Sequence, residues 1–235
     1  IGGSLIANFS NITKFGTSSY RFYTSNYGES SELSINNSYI SSAGQSSADN
    51  IRGLVLNTNN VTIYNTTFKD AVDSNLELNE VNITIKNSYF LGGAATEQNI
   101  YVRKNNSILL YSNLSGAVVS DIWVQNLSTN VTFYVRSSNY TTATADTGSM
   151  LLKQWFIDAV VNDTSNVRVA NATVKFTTVR SGEEINVLTN ATGDITTQNV
   201  TQFIVNGSGK FYETNYTINA SKRGYGEEIR NTNIT

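Results

Sequence analysis

The sequence predicts an all-β chain: a coiled ribbon of short stacked strands, then a small antiparallel β-sandwich. Three observations predict it. An eight-residue block of alternating β-branched and polar residues recurs through the first 140 residues. A second strand type keeps a fixed offset from that block. After residue 150 the period is lost, and short strands separated by turns take over.

The block reads β-branched, polar, β-branched, polar, Asn, polar, polar, aromatic. Its copies are Val61-Thr62-Ile63-Tyr64-Asn65-Thr66-Thr67-Phe68, Ile83-Thr84-Ile85-Lys86-Asn87-Ser88-Tyr89-Phe90 and Leu33-Ser34-Ile35-Asn36-Asn37-Ser38-Tyr39-Ile40. Weaker copies begin at Leu5, Ile108 and Val131. The steps between copies are 28, 28, 22, 25 and 23 residues. The companion strands are Leu54-Val55-Leu56, Leu76-Glu77-Leu78, Ile100-Tyr101-Val102 and Ile122-Trp123-Val124, at steps of 22, 24 and 22. Two strand types held at one offset over several turns mark a solenoid. A leucine-rich repeat shares the period but needs a Leu-x-x-Leu-x-Leu framework and a helical return, and neither is present. A β-helix of about five to six coils fits better, spanning residues 1–145.

Strand alternation turns Val61, Ile63 and Phe68 inward and Thr62 and Tyr64 outward. Asn37, Asn65 and Asn87 share one repeat position, at the bend. Stacked there, their amides would bond along the coil axis; otherwise Asn simply tolerates the turn. The ladder is expected at Asn37 and Asn87. Asn65 is left open, because it also opens a glycosylation motif and a sugar would exclude it from a ladder.

On these blocks the chain resembles the right-handed parallel β-helix proteins, the pectate-lyase-like solenoids, over about residues 5–140. The resemblance implies a fold and says nothing about activity.

Residues 141–150 are small and polar and read as a linker. Strands are expected at 155–161, 172–179, 184–188, 201–205 and 212–220, with turns at Asn162–Asn166, Arg180-Ser181-Gly182, Thr192-Gly193-Asp194 and Asn206-Gly207-Ser208-Gly209. Turns every 8–14 residues suggest a sandwich over residues 150–235. Three features carry a further resemblance: the aromatic-led first strand, the Asn171-Ala172-Thr173-Val174 step, and Tyr216–Tyr225 near the end. This tail resembles carboxypeptidase-regulatory-like or immunoglobulin-like modules. Asn166-Val167-Arg168-Val169 stands where those modules carry Gly-x-Pro. A β-helix followed by such a module is similar in architecture to large cell-surface proteins of archaea, where N-glycosylation is dense.

Asn-x-Ser/Thr motifs run the length of the chain, none with Pro between. They open at Asn8, Asn11, Asn36, Asn60, Asn65, Asn82, Asn105, Asn113, Asn126, Asn130, Asn139, Asn162, Asn171, Asn190, Asn199, Asn206, Asn215, Asn219 and Asn233. Random placement of 32 Asn and 55 Ser plus Thr in 235 residues would give roughly seven or eight such sites, less than half the 19 present. Each is a potential N-glycosylation acceptor. The competing explanation is a β protein that is merely rich in Ser, Thr and Asn. The excess favours many glycosylated sites and an extracellular location.

Composition narrows the chemistry. Charged residues are 14% of the chain, against about 25% in typical domains. Net charge is −2, so no basic field points to nucleic acid or anionic lipid. There is no Cys, hence no disulfide or thiolate, and no His, hence no His-based acid–base chemistry, Ser–His triad or usual zinc site. Proline is also absent. No run of 18 apolar residues could span a membrane. The start, Ile1-Gly2-Gly3-Ser4, lacks the features of a signal peptide, so a processed chain is expected.

Polysaccharide cleavage would need converging carboxylates, or calcium-binding acids with an Arg or Lys base. The densest acidic stretch is Asp70, Asp73, Glu77 and Glu80, beside Lys69. Asp70 and Asp73 could offer oxygen ligands to calcium. The equivalent stretch of the next coil, Gly92-Gly93-Ala94-Ala95, is bare, and Glu77 is expected to face outward. A solvated loop is the expectation, with no catalytic residue, metal or cofactor. Tyr20, Phe22, Tyr23, Tyr27, Tyr39, Tyr64, Tyr101, Tyr111, Trp123 and Tyr134 offer an outward aromatic stripe, with Tyr64, Tyr111 and Tyr134 in one slot. Such a stripe serves sugar stacking, assembly or ordinary cross-strand pairing.

The first coil starts near residue 5 with no capping helix before it, and the last residues, 227–235, alternate like a strand. Unpaired edges recruit partners. The expectation is a non-enzymatic, N-glycosylated extracellular structural protein that assembles head to tail into a surface filament or coat, a homopolymer joined through β edges. The alternative is a glycan-binding adhesin, or a polysaccharide lyase or hydrolase of the β-helix class.

Overall fold

The structure, a computed structural model, describes all residues except 1–3, 15–19, 21, 25–31, 45–51, 59, 127–129, 183 and 235. Tyr27 and the segment before Ser4 therefore lie outside the described residues. Every regular element described is a strand, and the chain divides into two compact units, residues 1–152 with 205–209 and residues 153–204 with 210–235.

The first unit is a parallel β-solenoid of about five turns, built from three sheets. The first holds β1 (Ser4–Asn8), β4 (Glu32–Asn36), β7 (Val61–Tyr64), β10 (Thr84–Lys86), β13 (Ser107–Leu110) and β16 (Thr132–Arg136). The second holds β2 (Asn11–Ile12), β5 (Tyr39–Ser41), β8 (Thr67–Lys69), β11 (Tyr89–Leu91) and β14 (Asn113–Ser115). The third holds β3 (Phe22–Tyr23), β6 (Leu54–Leu56), β9 (Asp73–Leu78), β12 (Thr96–Val102), β15 (Ser120–Val124) and β17 (Ala143–Ala145).

The apolar alternation sets the register. Ile35, Ile63, Ile85, Leu109 and Val135 form one buried inward column across the first sheet. Ile40, Phe68, Phe90 and Leu114 do the same in the second. The Phe68 and Phe90 rings stack 4.8 Å apart and 3° from parallel, so rings on adjacent rungs meet face to face at the strand spacing. In the third sheet Leu54, Leu76, Ile100 and Ile122 align as the offset of the companion strands requires.

Each repeat block is two strands joined by a left-handed bend. Asn37, Asn65 and Asn87 all have φ between 48° and 53°. Asn adopts that region at low cost. Tyr111 and Ser137 take the same bend in the later coils, at φ 48° and 44°. The residue after each bend is a buried Ser or Thr. Thr66, Ser88 and Ser112 each donate a backbone N–H to the hydroxyl one rung on (Ser88, Ser112 and Ser138), at 3.3, 3.0 and 3.0 Å. The hydroxyls donate in turn to carbonyls two residues back. This column satisfies backbone groups that the bend removes from the ladders.

Several expectations need correction. Ile83 aligns with Ser107, not Ile108, and Ser107 in turn with Phe133. The later copies are thus shifted: Ile108 pairs with Thr84 and Tyr134, on the half-exposed side. An inward serine is tolerated because its hydroxyl accepts the Ile83 N–H at 3.2 Å. Tyr64, Tyr111 and Tyr134 do not share a slot. Tyr64 aligns with Asn36 and Lys86, Tyr134 with Ile108, and Tyr111 lies in the bend. Within the supposed linker, Ala143–Ala145 is β17, which pairs with β15. The amide ladder also differs. Asn37 donates to Asn8 at 3.2 Å and Asn65 to Asn37 at 2.8 Å, so Asn65 belongs to it. Asn87 makes no side-chain hydrogen bond among the described residues; its neighbour in the column is Tyr111, and there Asn serves the turn alone.

The second unit contains a four-stranded antiparallel sheet in the order β20 (Glu184–Leu188), β19 (Thr173–Thr177), β23 (Tyr216–Ser221), β24 (Glu228–Thr232). Also in the chain are β18 (Met150–Ile157), β21 (Gln198–Asn206) and β22 (Gly209–Tyr212). Val174, Phe176, Ile195, Val200 and Tyr216 form the unit's core, with Trp155 and Ile157 packed against it. The Tyr216 hydroxyl accepts the Thr201 N–H at 2.9 Å and donates to the Thr201 carbonyl at 3.0 Å. One buried side chain thereby occupies both backbone groups of a strand residue.

Candidate functional site

Two polar assemblies merit consideration: the array of Asn-x-Ser/Thr motifs, and a charged cluster on the outer face of the third sheet.

The motif asparagines are all at or near the surface. Asn8, Asn11, Asn60, Asn65, Asn82, Asn113, Asn130, Asn139, Asn162, Asn171, Asn190, Asn215 and Asn233 are exposed; Asn36, Asn105, Asn126, Asn199, Asn206 and Asn219 are half-buried. Among the described residues the buried asparagines are Asn75 and Asn99, and neither opens a motif. They form a ladder of their own. Asn75 donates to Asn99 at 2.7 Å, and Asn99 to Asp121 at 2.8 Å and to the Ser115 carbonyl at 3.0 Å.

The hydroxyl partners divide the motifs further. Ser38, Ser107 and Thr201, which complete the motifs of Asn36, Asn105 and Asn199, are buried. These hydroxyls belong to the interiors of the two units, so part of the Asn-Ser/Thr abundance is architectural. Thr62, Thr84, Ser115 and Thr141, which complete those of Asn60, Asn82, Asn113 and Asn139, are exposed. The side-chain nitrogen also differs in availability. Asn36 donates to Ser34 at 2.8 Å, Asn126 to the Thr147 carbonyl at 2.7 Å and Asn162 to Asn166 at 2.8 Å. Asn219 donates to Glu227.

The charged cluster corrects the solvated reading of the acidic stretch, not the outward direction of Glu77. Glu77 aligns with Val55, Tyr101 and Trp123, so its side chain does leave the coil. It is nevertheless fully buried, 2.9 Å from Arg103. Asp73 is likewise buried, 2.7 Å from Arg52. The Arg52 guanidinium lies 4.7 Å from the Tyr101 ring centre and that of Arg103 5.9 Å. Tyr101 meets Trp123 edge-on at 5.2 Å, and the indole N–H donates to Asp146 at 2.9 Å. Burial acts to lower the Arg52 pKa, but the Asp73 hydrogen bond and charge outweigh it and hold the pKa above the ordinary value. Tyr101 is thus no sugar platform, and Glu77 and Asp73 are each committed to an arginine. Asp70 stands apart, exposed and 3.5 Å from Lys69. No group of three or more potential metal ligands occurs among the described residues.

The other aromatics separate by partner. Tyr111 lies under Lys86 at 5.9 Å, a cross-rung contact, and Tyr134 under Arg136 at 5.1 Å, two residues along the same strand. Tyr20 is half-buried, its hydroxyl donating to the Ser41 carbonyl at 2.9 Å, and burial raises its pKa to about 12. Tyr23, Tyr39 and Tyr64 are exposed and Phe22 is half-buried.

In the second unit an open groove of about 540 Å³ is lined by Val169, Ala172, Lys222, Tyr225, Glu227 and Arg230, among others. Lys222 is held by the Ala170 carbonyl at 2.7 Å. The lining mixes both charge signs over an apolar floor and brings no catalytic set together. No helix of the described residues is long and apolar enough to cross a membrane. No family model, curated protein or solved structure matches the chain.

Proposed function

We propose that this chain is a non-enzymatic, N-glycosylated extracellular structural protein that self-associates head to tail into a surface filament or coat. One observation carries the proposal: every Asn-x-Ser/Thr asparagine is exposed or half-buried, while the two buried asparagines among the described residues lie outside the motif. Acceptors must reach solvent, and a low-charge surface gains its solubility from sugars and hydroxyls. The commitment of Asp73 and Glu77 to arginines supports the non-enzymatic part. Leu5, Ile6 and Phe9 of the first rung are 48%, 65% and 79% exposed, and β24 is exposed along most of its length. The exposed apolar side chains and the exposed outer strand β24 support pairing with a second copy. In this reading the solenoid is a right-handed parallel β-helix of the archaeal cell-surface type, and the tail is its immunoglobulin-like or carboxypeptidase-regulatory-like module.

Intact mass before and after chemical deglycosylation, with sedimentation over a range of concentrations, tests the proposal. A mass falling by many sugar units and a sedimentation coefficient rising with concentration are expected. An unchanged mass from a natively produced sample overturns the glycosylation; a concentration-independent monomer overturns the assembly.

A further inference from the structure

The outer face of the second sheet carries one column that runs Asn11, Tyr39, Thr67, Tyr89, Asn113, Asn139. Neighbours in such a column stand about 4.8 Å apart and project to the same side. Tyr39 is 36% exposed and Tyr89 49%. Neither ring has an aromatic or cationic partner among the described residues, unlike Tyr111 and Tyr134. A motif asparagine adjoins each: Asn11 beside Tyr39, and Asn113 beside Tyr89.

At Asn113 the amide is oriented. Its Oδ1 accepts from Asn139 Nδ2 at 3.1 Å, one rung on. The amide is planar and trigonal, so holding Oδ1 toward Asn139 turns Nδ2 back toward the Tyr89 rung. That nitrogen is the atom a glycan would take, and it makes no hydrogen bond among the described residues. Its motif partner Ser115 is exposed. By contrast, Asn36, beside exposed Tyr64, is half-buried with its nitrogen engaged by Ser34.

We infer that Asn113 and Tyr89 form one modification site, in which the first sugar on Asn113 stacks its apolar C–H face on the Tyr89 ring. The inference rests on the glycosylation proposed above. A ring presents a negative face and positive edge, and the polarised C–H bonds of a pyranose suit that face. The sugar covers an otherwise wet ring and ties β11 to β14 from outside. Asn11 and Tyr39 are also adjacent, three rungs earlier, with the order of Asn and Tyr reversed.

The test is a double-mutant cycle in protein made by a glycosylating host, with the Asn113 peptide mapped by mass. Ser115→Ala removes the acceptor motif but keeps the Asn113–Asn139 bond. Tyr89→Thr places in the column the residue already present at Thr67, so the fold is retained. Tyr89→Thr is expected to lower Tm by about 2–4 °C more in the glycosylated background than in the Ser115→Ala background. Equal shifts in both backgrounds, with Asn113 occupied, overturn the stacking and leave the glycosylation reading intact. A bare Asn113 among occupied exposed sites also overturns it. A chain bare at every site overturns both.

Discussion

Asn99 donates to Asp121 across 2.8 Å between adjacent rungs, wholly inside the solenoid. The other Asp121 oxygen accepts the backbone N–H groups of Thr141 and Thr142, at 2.7 and 3.3 Å. The ladder that starts at Asn75 therefore ends in a carboxylate capped by backbone donors.

Removing a member strands its neighbours in a dry interior. Asn99→Ala is expected to cost about 2–4 kcal/mol, because Asn75 and Asp121 each lose a buried partner. Asp121→Ala should cost a similar amount. The double variant should fall short of the sum by more than about 0.5 kcal/mol, measured by denaturant unfolding. Strict additivity would mean that the ladder is not a unit.

The Arg103–Glu77 pair gives a second prediction. Arg103→Leu leaves the Glu77 carboxylate buried without this guanidinium, and about 3–5 kcal/mol should be lost. Arg103→Leu with Glu77→Leu should recover most of it, since a buried pair replaced by apolar groups is often neutral. Thermal unfolding of the two variants decides the matter; equal destabilisation by both would contradict the pairing.

Tyr216→Phe is expected to destabilise the second unit by about 1–3 kcal/mol, because the Thr201 N–H and carbonyl both lose a buried partner. Hydrogen exchange at the Thr201 amide should accelerate with it. Unchanged protection there would contradict the contact.

Burial lowers the pKa of Lys153 from 10.5 to about 8. The unfolded chain then binds the proton more tightly than the folded one, so protonated Lys153 weakens the fold at neutral pH. That penalty is fully present below about 8 and is relieved as pH rises from about 8 toward 10.5. Stability measured across that window should rise, and Lys153→Met should remove this contribution. A wild-type curve parallel to the variant's would refute it.

Much of the solenoid was legible in the sequence because its inward columns are apolar and periodic. The companion strands from Leu54 to Val124 stand in the register their spacing implies. What the pattern hid was polar. Ser107 sits inward because a backbone N–H satisfies its hydroxyl, so an apolar template slips by one residue to Ile108. The Asn75–Asn99–Asp121 ladder was visible only as polar residues at a spacing of 24 and then 22, ahead of each companion strand. Glu77 reads as solvated by alternation alone; its burial depends on Arg103, a residue 26 positions away. At the bends, φ near 50° selects Asn with or without a ladder, so Asn65 and Asn87 look alike in sequence.

Site-by-site occupancy of the 19 motifs in natively produced protein tests the central claim most directly. Sugar is expected at the exposed asparagines with exposed hydroxyl partners, such as Asn60, Asn82 and Asn113, and least at Asn36, Asn105 and Asn199. Unmodified asparagine at all of them, or sugar concentrated at the latter three, would contradict a glycan coat laid over this solenoid.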